Sequence, residues 1–233
     1  MVQIVKLTEA VAQQGFRVRG SLRVVPDDDL PNLQDGQRPQ AIVLLGNAGP
    51  DMWQCFAAQQ ATGMATLDAW TKARLDPIAQ DFGARAYYPF ERPYLPFQRW
   101  AQRAEPAAVS PLNILVHPDY GLWHAYRAAF AFAEVLEPTP RDERDSPCET
   151  CADRPCLSAC PVSAFANGGY AADLCARHVA SAEGADCRKN GCLARHACPV
   201  GRDFVYAPPQ ARFHMEAFLA AGRHAGPDDC ESC

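Results

Sequence analysis

The sequence predicts an α+β fold, a sheet domain followed by a small cysteine-rich module, and three observations carry that prediction. Short apolar runs bounded by turn residues alternate with stretches of helical periodicity up to about residue 135. The eleven cysteines are segregated, with only Cys55 preceding Cys148. Between the two regions lies EPTPRDERDSP, residues 137–147, which is polar, proline-bearing and without periodicity, and so reads as a linker. A chain of 233 residues that is 48% hydrophobic is long enough for one packed core plus a module stabilised by a ligand. The expected layout is a ligand domain over 1–136, the linker, a module over 148–210 and a C-terminal helix and tail over 211–233.

In chain order, Leu7 to Gln14 reads as a short helix and Phe16 to Val25 as a strand, ended by the charged Asp27-Asp28-Asp29 and its flanking prolines. Ala41 to Leu45 is a short apolar run before Gly46-Asn47-Ala48-Gly49-Pro50, which suits a buried strand entering a turn. Residues 51–60 and 65–80 have helical character. Further strands are expected at Ala84 to Tyr88 and Leu112 to Val116, and the alanine-rich stretch from Trp123 to Val135 is expected to be helical. Strand order is left open.

Composition narrows the function classes. The formal net charge of −5 provides no basic face for a phosphate backbone, which argues against a nucleic-acid partner. No run of about eighteen apolar residues suggests a membrane span, and the start MVQIVKLTEA lacks the basic-then-apolar layout of a secretory signal. A cytoplasmic protein is expected. In a reducing compartment, many cysteines point to metal or redox work rather than to disulfides.

The first cysteine motif, CETCADRPCLSACP, sets Cys148, Cys151, Cys156 and Cys160 at C-x2-C-x4-C-x3-C-P spacing, with Pro161 closing it. Downstream stand Cys175, Cys187, Cys192 and Cys198, the last again followed by a proline, Pro199. The first motif resembles that of the bacterial ferredoxins with two four-iron clusters, C-x2-C-x2-C-x3-C-P, with a middle gap longer by two. Val162-Ser163-Ala164-Phe165 is similar to the usual continuation. In that family three close thiolates hold one cluster and the fourth reaches the other. The resemblance therefore implies one [4Fe-4S] cluster on Cys148, Cys151, Cys156 and Cys198, and a second on Cys160, Cys175, Cys187 and Cys192. Two such clusters would move the formal charge from −5 to about −9.

Other readings of the cysteines stay open. Zinc accepts four-cysteine sites, but it favours paired knuckles of short spacing and gives no reason for two Cys-Pro endings. A disulfide framework lacks a secretion context, and inert buried cysteines would not cluster in this way. Arg177, Arg188, Lys189, Arg195 and Arg202 lie among the later cysteines, either offsetting cluster charge or forming a solvated surface. Cys230 and Cys233 form a terminal C-x2-C that is either an exchanging dithiol or a frayed tail. Cys55, two residues from Trp53, reads as core.

The most informative stretch of the first domain is ILVHPDYGLWHAYRAAFAF, which reads as strand, turn and helix. It carries His117, Tyr120, Gly121, Trp123 and Arg127, a set that can line a pocket for a large planar ligand, or else serve the turn and the core. His117-Pro118, Tyr120-Gly121, Trp123, Ala125 and Arg127 resemble the H-P-x-aromatic-G-x-W-x-A-x-R segment of the CblC-type cobalamin-processing proteins. Gly83-Ala84-Arg85-Ala86-Tyr87-Tyr88 is similar to that family's G-A-x-A-Y-Y strand. A corrinoid domain followed by two four-iron clusters is also the arrangement of epoxyqueuosine reductases and reductive dehalogenases.

The resemblance implies a nitroreductase-like sheet domain, a ferredoxin-like two-cluster module and a base-off corrinoid whose cobalt the clusters could reduce. It implies that Arg127 stands near the cobalamin and that Trp123 belongs to the same wall. Tyr87-Tyr88-Pro89-Phe90 lacks the proton-donating aspartate of epoxyqueuosine reductases, which argues against queuosine chemistry. The chain is also shorter than the dehalogenases and lacks their twin-arginine start. The expectation is an iron-sulfur electron-transfer protein of oxidoreductase type, served by a redox partner protein, that relays electrons to a ligand such as cobalamin. The alternatives are a ferredoxin-like carrier without a substrate site, or a cobalamin chaperone with structural clusters.

Overall fold

The structure, a computed structural model, describes residues 2–33, 36–60 and 66–224. In chain order its elements are α1 (Val2–Ala12), β1 (Arg17–Arg23), β2 (Ala41–Ala48), α2 (Asp51–Gln60), α3 (Leu67–Asp81), β3 (Arg85–Tyr87), α4 (Phe97–Ala104), β4 (Ala108–Val109), β5 (Leu115–Val116), β6 (His124–Phe132), α5 (Pro155–Ser158), α6 (Ala172–Ala180), α7 (Ala185–Asn190), α8 (Leu193–His196) and α9 (Pro208–His224). They divide into two compact units, Met1–Ala108 with Trp123–Asp145, and Val109–Leu122 with Ser146–Cys233. The stretch 109–122, which precedes the expected linker, thus belongs to the second unit. Among the described residues no helix is long and apolar enough to cross a membrane.

The first unit is built on an antiparallel sheet of order β1-β2-β6-β3. Every residue of β2 is buried, as befits a central strand flanked on both sides. Around it Phe16 stacks on Trp70 with ring centroids 5.4 Å apart, and Phe56 meets the same indole edge-on at 5.6 Å. These rings anchor α2 and α3, which pack on β2 and β3 respectively. Thr66 caps α3 by accepting the Ala69 N–H at 3.1 Å. The linker segment is laid along β1, with Thr139 N–H donating to Ser21 Oγ at 2.8 Å and Arg23 pairing with Glu137 at 3.3 Å.

One expectation is overturned. The stretch from Trp123 to Val135 is not helical; its body is the nine-residue strand β6. Helix propensity of alanine is a small preference that tertiary pairing overrides. Here β6 is paired on both flanks, to β2 and to β3, so its backbone groups are satisfied as sheet. Its aromatics recur at Tyr126, Phe130 and Phe132 with a period of two, which is the strand signature beneath the alanines. Conversely, α4 went unassigned in the sequence, although its buried Phe97, Trp100, Ala101 and Ala104 fall at helical spacing.

The second unit is a set of short helices joined by tight turns. Helix α5 packs against α8, α6 against α7, and α9 against both α6 and α7. Gly184 allows α7 to follow α6 closely, since a Cβ there would lie 1.9 Å from the His178 carbonyl oxygen. Helix α9 begins with Pro208 and Pro209, whose fixed φ suits a first turn, three residues before the expected start at 211. Cys230 and Cys233 lie outside the described residues.

Candidate functional site

The helix pairings of the second unit decide which cysteines meet. Cys156 sits within α5 and Cys198 follows α8, so the packing of α5 on α8 draws them together across more than forty residues of sequence. Cys148, Cys151, Cys156 and Cys198 line one hollow, walled by Pro147, Pro155, Pro199, Val116 and Val200. Burial pushes the Cys148 thiol up, opposed by a hydrogen bond from Ser146 and reinforced by the thiols of Cys198, Cys156 and Cys151. Burial likewise raises Cys156, with Cys198 and Cys151 adding to it.

The other four cysteines form a second group. Cys175 lies in α6, Cys187 in α7 and Cys192 at the start of α8, while Cys160 closes the turn after α5 and accepts the Ala164 N–H on Sγ at 3.3 Å. Burial raises the Cys187 thiol, with Cys175 and Cys160 among the further causes. Burial also raises Cys192, beside Cys175 and Cys187. Burial raises the Tyr170 hydroxyl above its ordinary value, and the nearby Cys175 thiol adds to the shift.

In each quartet two thiols, Cys148 and Cys156 in the first and Cys187 and Cys192 in the second, are held toward the protonated form by burial. Such a group gives up its protons to a cationic core, and this donor chemistry fits a bound iron-sulfur cluster. The nine cysteines among the described residues are free thiols. Among those residues, no three His, Cys, Asp or Glu side chains are drawn together as the ligands of a single metal ion.

Three of the arginines near the cysteines, Arg188, Arg195 and Arg202, are committed to backbone. Arg188 donates to the carbonyls of Val179 and Ser181, Arg202 to that of His196 at 2.6 Å, and Arg195 to that of Leu122 at 2.9 Å. Arg195 also lies over the Tyr206 ring, 4.6 Å from its centroid. These cations hold the turns that carry the thiols.

Three of the five expected ligand-site residues lie in the second unit and form a hairpin. His117 and Gly121 exchange both backbone hydrogen bonds, at 2.9 and 2.8 Å. His117 Nδ1 accepts the Asp119 and Tyr120 N–H groups at 3.1 and 3.4 Å, which assigns the ring proton to Nε2. Tyr120 stacks on His117 at 4.4 Å and meets Phe204 edge-on at 4.9 Å. Gly121 has φ +56°, and a Cβ on it would lie 2.1 Å from the Val200 carbonyl oxygen. The hairpin therefore packs backbone to backbone on the turn that follows Cys198.

Trp123 and Arg127 belong to the first unit. Trp123 is buried, and its carbonyl accepts the Gly49 N–H at 2.9 Å. Arg127 Nη2 donates to Asp68 at 2.8 Å and to Thr71 at 3.2 Å, and the guanidinium stands 5.9 Å from the centre of the Phe90 ring. Its buried Nε has no hydrogen-bond partner among the described residues. For a corrinoid these groups fit in part: one unused buried donor and one buried indole, with the other three residues committed to the hairpin.

The sequence reading missed a buried polar network in this unit. Arg19, 2% exposed, donates from Nε and Nη2 to the two carboxylate oxygens of Glu105 at 3.2 and 2.5 Å, and from Nη1 to the Asn47 carbonyl at 3.2 Å. The Tyr126 hydroxyl donates to the same carboxylate, and Arg19 stands 3.3 Å from His124 Nδ1. Burial raises the Glu105 carboxyl, opposed by Arg19 and Tyr126. A hollow of about 680 Å³ lies beside β3, where Lys72 pairs with Glu91 at 2.5 Å and Tyr88 donates to Asp76 at 2.6 Å. These groups stand far apart in sequence and carry no motif.

No family model matches the sequence, and neither does any curated protein. Solved structures do. Epoxyqueuosine reductase from Streptococcus thermophilus is similar with a TM-score of 0.54 and 13% identity, over 89% of this chain and 68% of that one. Epoxyqueuosine reductase from Bacillus subtilis gives 0.52 and 15%, over 90% and 69%. The B12-trafficking protein CblC of C. elegans gives 0.51 and 13%, over 94% and 96%. The chain has the α+β fold of these proteins, and at such identities the likeness is one of fold.

Proposed function

We propose that this protein is an iron-sulfur electron-transfer protein of oxidoreductase type, holding two [4Fe-4S] clusters and passing electrons to a corrinoid carried by the sheet unit. The observation that carries the reading is the exchange between the two motifs: Cys198 joins Cys148, Cys151 and Cys156, while Cys160 falls with Cys175, Cys187 and Cys192. That exchange leaves every cysteine of both motifs used once. Four cysteines in each group suit a cluster in which each iron takes one thiolate.

When bound, such clusters supply single-electron transfer. The work of the chain is to keep eight thiolates in place, exclude water with the prolines and valines of the first hollow, and direct hydrogen bonds at sulfur. The corrinoid part rests on the shared fold with a B12-trafficking protein and on the buried Trp123 and Arg127 Nε.

Anaerobic purification of the full chain tests the first part. About eight iron and eight sulfide per chain are expected, and a value near four removes the second cluster. Adding cobalamin and following the cobalt absorption tests the second. A base-off spectrum whose cobalt is reduced when dithionite reduces the clusters supports the relay. Binding without reduction leaves a chaperone with structural clusters, and no spectral change leaves a carrier.

A further inference from the structure

We propose that the open edge of β3 is a docking site for an extended peptide segment of a partner protein, one that carries an acidic and a basic residue and adds to the sheet as a further strand. In the sheet order β1-β2-β6-β3 this strand is terminal, and among the described residues it pairs with β6 alone. The opposite edge differs, because the linker segment lies along β1. The hollow of about 680 Å³ beside β3 is lined by Ala84, Arg85 and Ala86 in succession. Successive strand residues point to opposite faces, so a hollow that touches all three follows the edge of the strand rather than one face.

The other wall of the hollow is α3. Lys72, Asp76 and Gln80 recur every four residues and, with Ala79, form one stripe along it. A helix stripe beside an open strand edge lets an extended peptide make main-chain hydrogen bonds on one side and side-chain contacts on the other. From Lys72 to Gln80 the helix rises about 12 Å, the length of about four residues of added strand. There is room at one end, where a Cβ on Gly83 would meet nothing within 4 Å.

Charge selects the occupant. Lys72 pairs with Glu91 at 2.5 Å and stands 3.9 Å from Asp76, so two carboxylates answer one ammonium. That surplus suits a basic side chain. Arg85 is held over the Tyr87 ring, 4.9 Å from its centroid, and donates from Nη1 to the Asn32 carbonyl at 2.8 Å. Among the described residues it has no carboxylate partner, which suits an acidic side chain. The site lies wholly in the first unit and depends on neither cluster nor corrinoid.

The probes are two fluorescein-labelled peptides, TKVTVET and the reverse charge order TEVTVKT, titrated with the full chain and followed by anisotropy. One of the two is expected to bind with a Kd below about 1 mM. Methylating its alternate backbone nitrogens on the strand-facing side should abolish binding, and Arg85→Glu should weaken it about tenfold. Arg85→Gln, which removes the charge without reversing it, should lie between. Hydrogen exchange at residues 85–87 should slow when the peptide is bound. No binding of either peptide, equal binding of the methylated form, or indifference to both Arg85 variants overturns the proposal. Equal competition by a free lysyl-glutamate dipeptide also overturns it, since the hollow would then be a small-molecule pocket.

Discussion

Gly121 and Val200 approach so closely that the glycine has no room for a side chain: a Cβ would lie 2.1 Å from the Val200 carbonyl oxygen. Gly201 stands in the same relation to Tyr120, at 2.3 Å from its carbonyl carbon. The two turns are mutual templates, and one of them carries Cys198. Gly121→Ala is expected to cost about 1–3 kcal/mol through the positive φ alone, with the collision adding to it. Because the displaced turn carries Cys198, a proposed ligand of the first cluster, iron content should fall toward half. Thermal unfolding and iron analysis of the variant check both expectations, and an unchanged iron content would separate the hairpin from cluster binding.

The Arg19–Glu105 pair predicts a pH-dependent mutant. Burial raises the Glu105 carboxyl above its ordinary value, so the folded chain holds that proton more tightly than the unfolded one. Stability from this group is then full below the ordinary carboxylate range and is lost as pH rises through the raised value. Arg19→Met removes the main opposing influence and leaves a buried carboxylate, at a cost of about 3–5 kcal/mol near neutral pH. The cost should shrink in acid, where Glu105 is neutral. Urea unfolding of parent and variant at two pH values measures the difference, and an equal loss at both would count against it.

The two groups of four cysteines were visible in the sequence, and their division into crossed quartets came from the resemblance to the two-cluster ferredoxins. The sheet was legible in β1, β2 and β3, where apolar runs end in turn residues. Strand β6 was not, since alanine carries a helix preference and the decisive fact is its pairing on both sides. His117, Tyr120 and Gly121 stood out as a motif, but sequence alone could not separate a ligand wall from a hairpin. That distinction depends on Val200 and Phe204, some eighty residues away.

Asp28 is a related case, since three consecutive aspartates read only as a charged break after the strand. Its side chain is 3% exposed and accepts from Val25 N–H at 2.8 Å, from Trp100 Nε1 at 2.9 Å and from Arg103. Asp28→Ala leaves those donors unanswered and is expected to cost about 1–3 kcal/mol. Asp28→Asn, which keeps an acceptor, should cost less. Asp27→Ala serves as the control, because its side chain has no comparable burial. Denaturant midpoints of the three variants order them, and equal midpoints for Asp27→Ala and Asp28→Ala would refute the assignment.

The exchange of cysteines between motifs makes a prediction that linear order would reverse. If each cluster took the four cysteines of one motif, Cys160→Ala would abolish the first cluster and Cys198→Ala the second. The packing of α5 on α8 instead sets Cys198 beside Cys156, while Cys160 is coupled to Cys187. Cys160→Ala should therefore disturb the same cluster as Cys187→Ala, and Cys198→Ala the same cluster as Cys151→Ala. Each single variant should keep at least half of the iron, and the double variant Cys160→Ala/Cys187→Ala should lose no more than either parent single. Cys160→Ala/Cys198→Ala should lose signals from both clusters. Paramagnetic resonance of the reduced variants distinguishes the two schemes, because the pairs that share a spectrum differ between them.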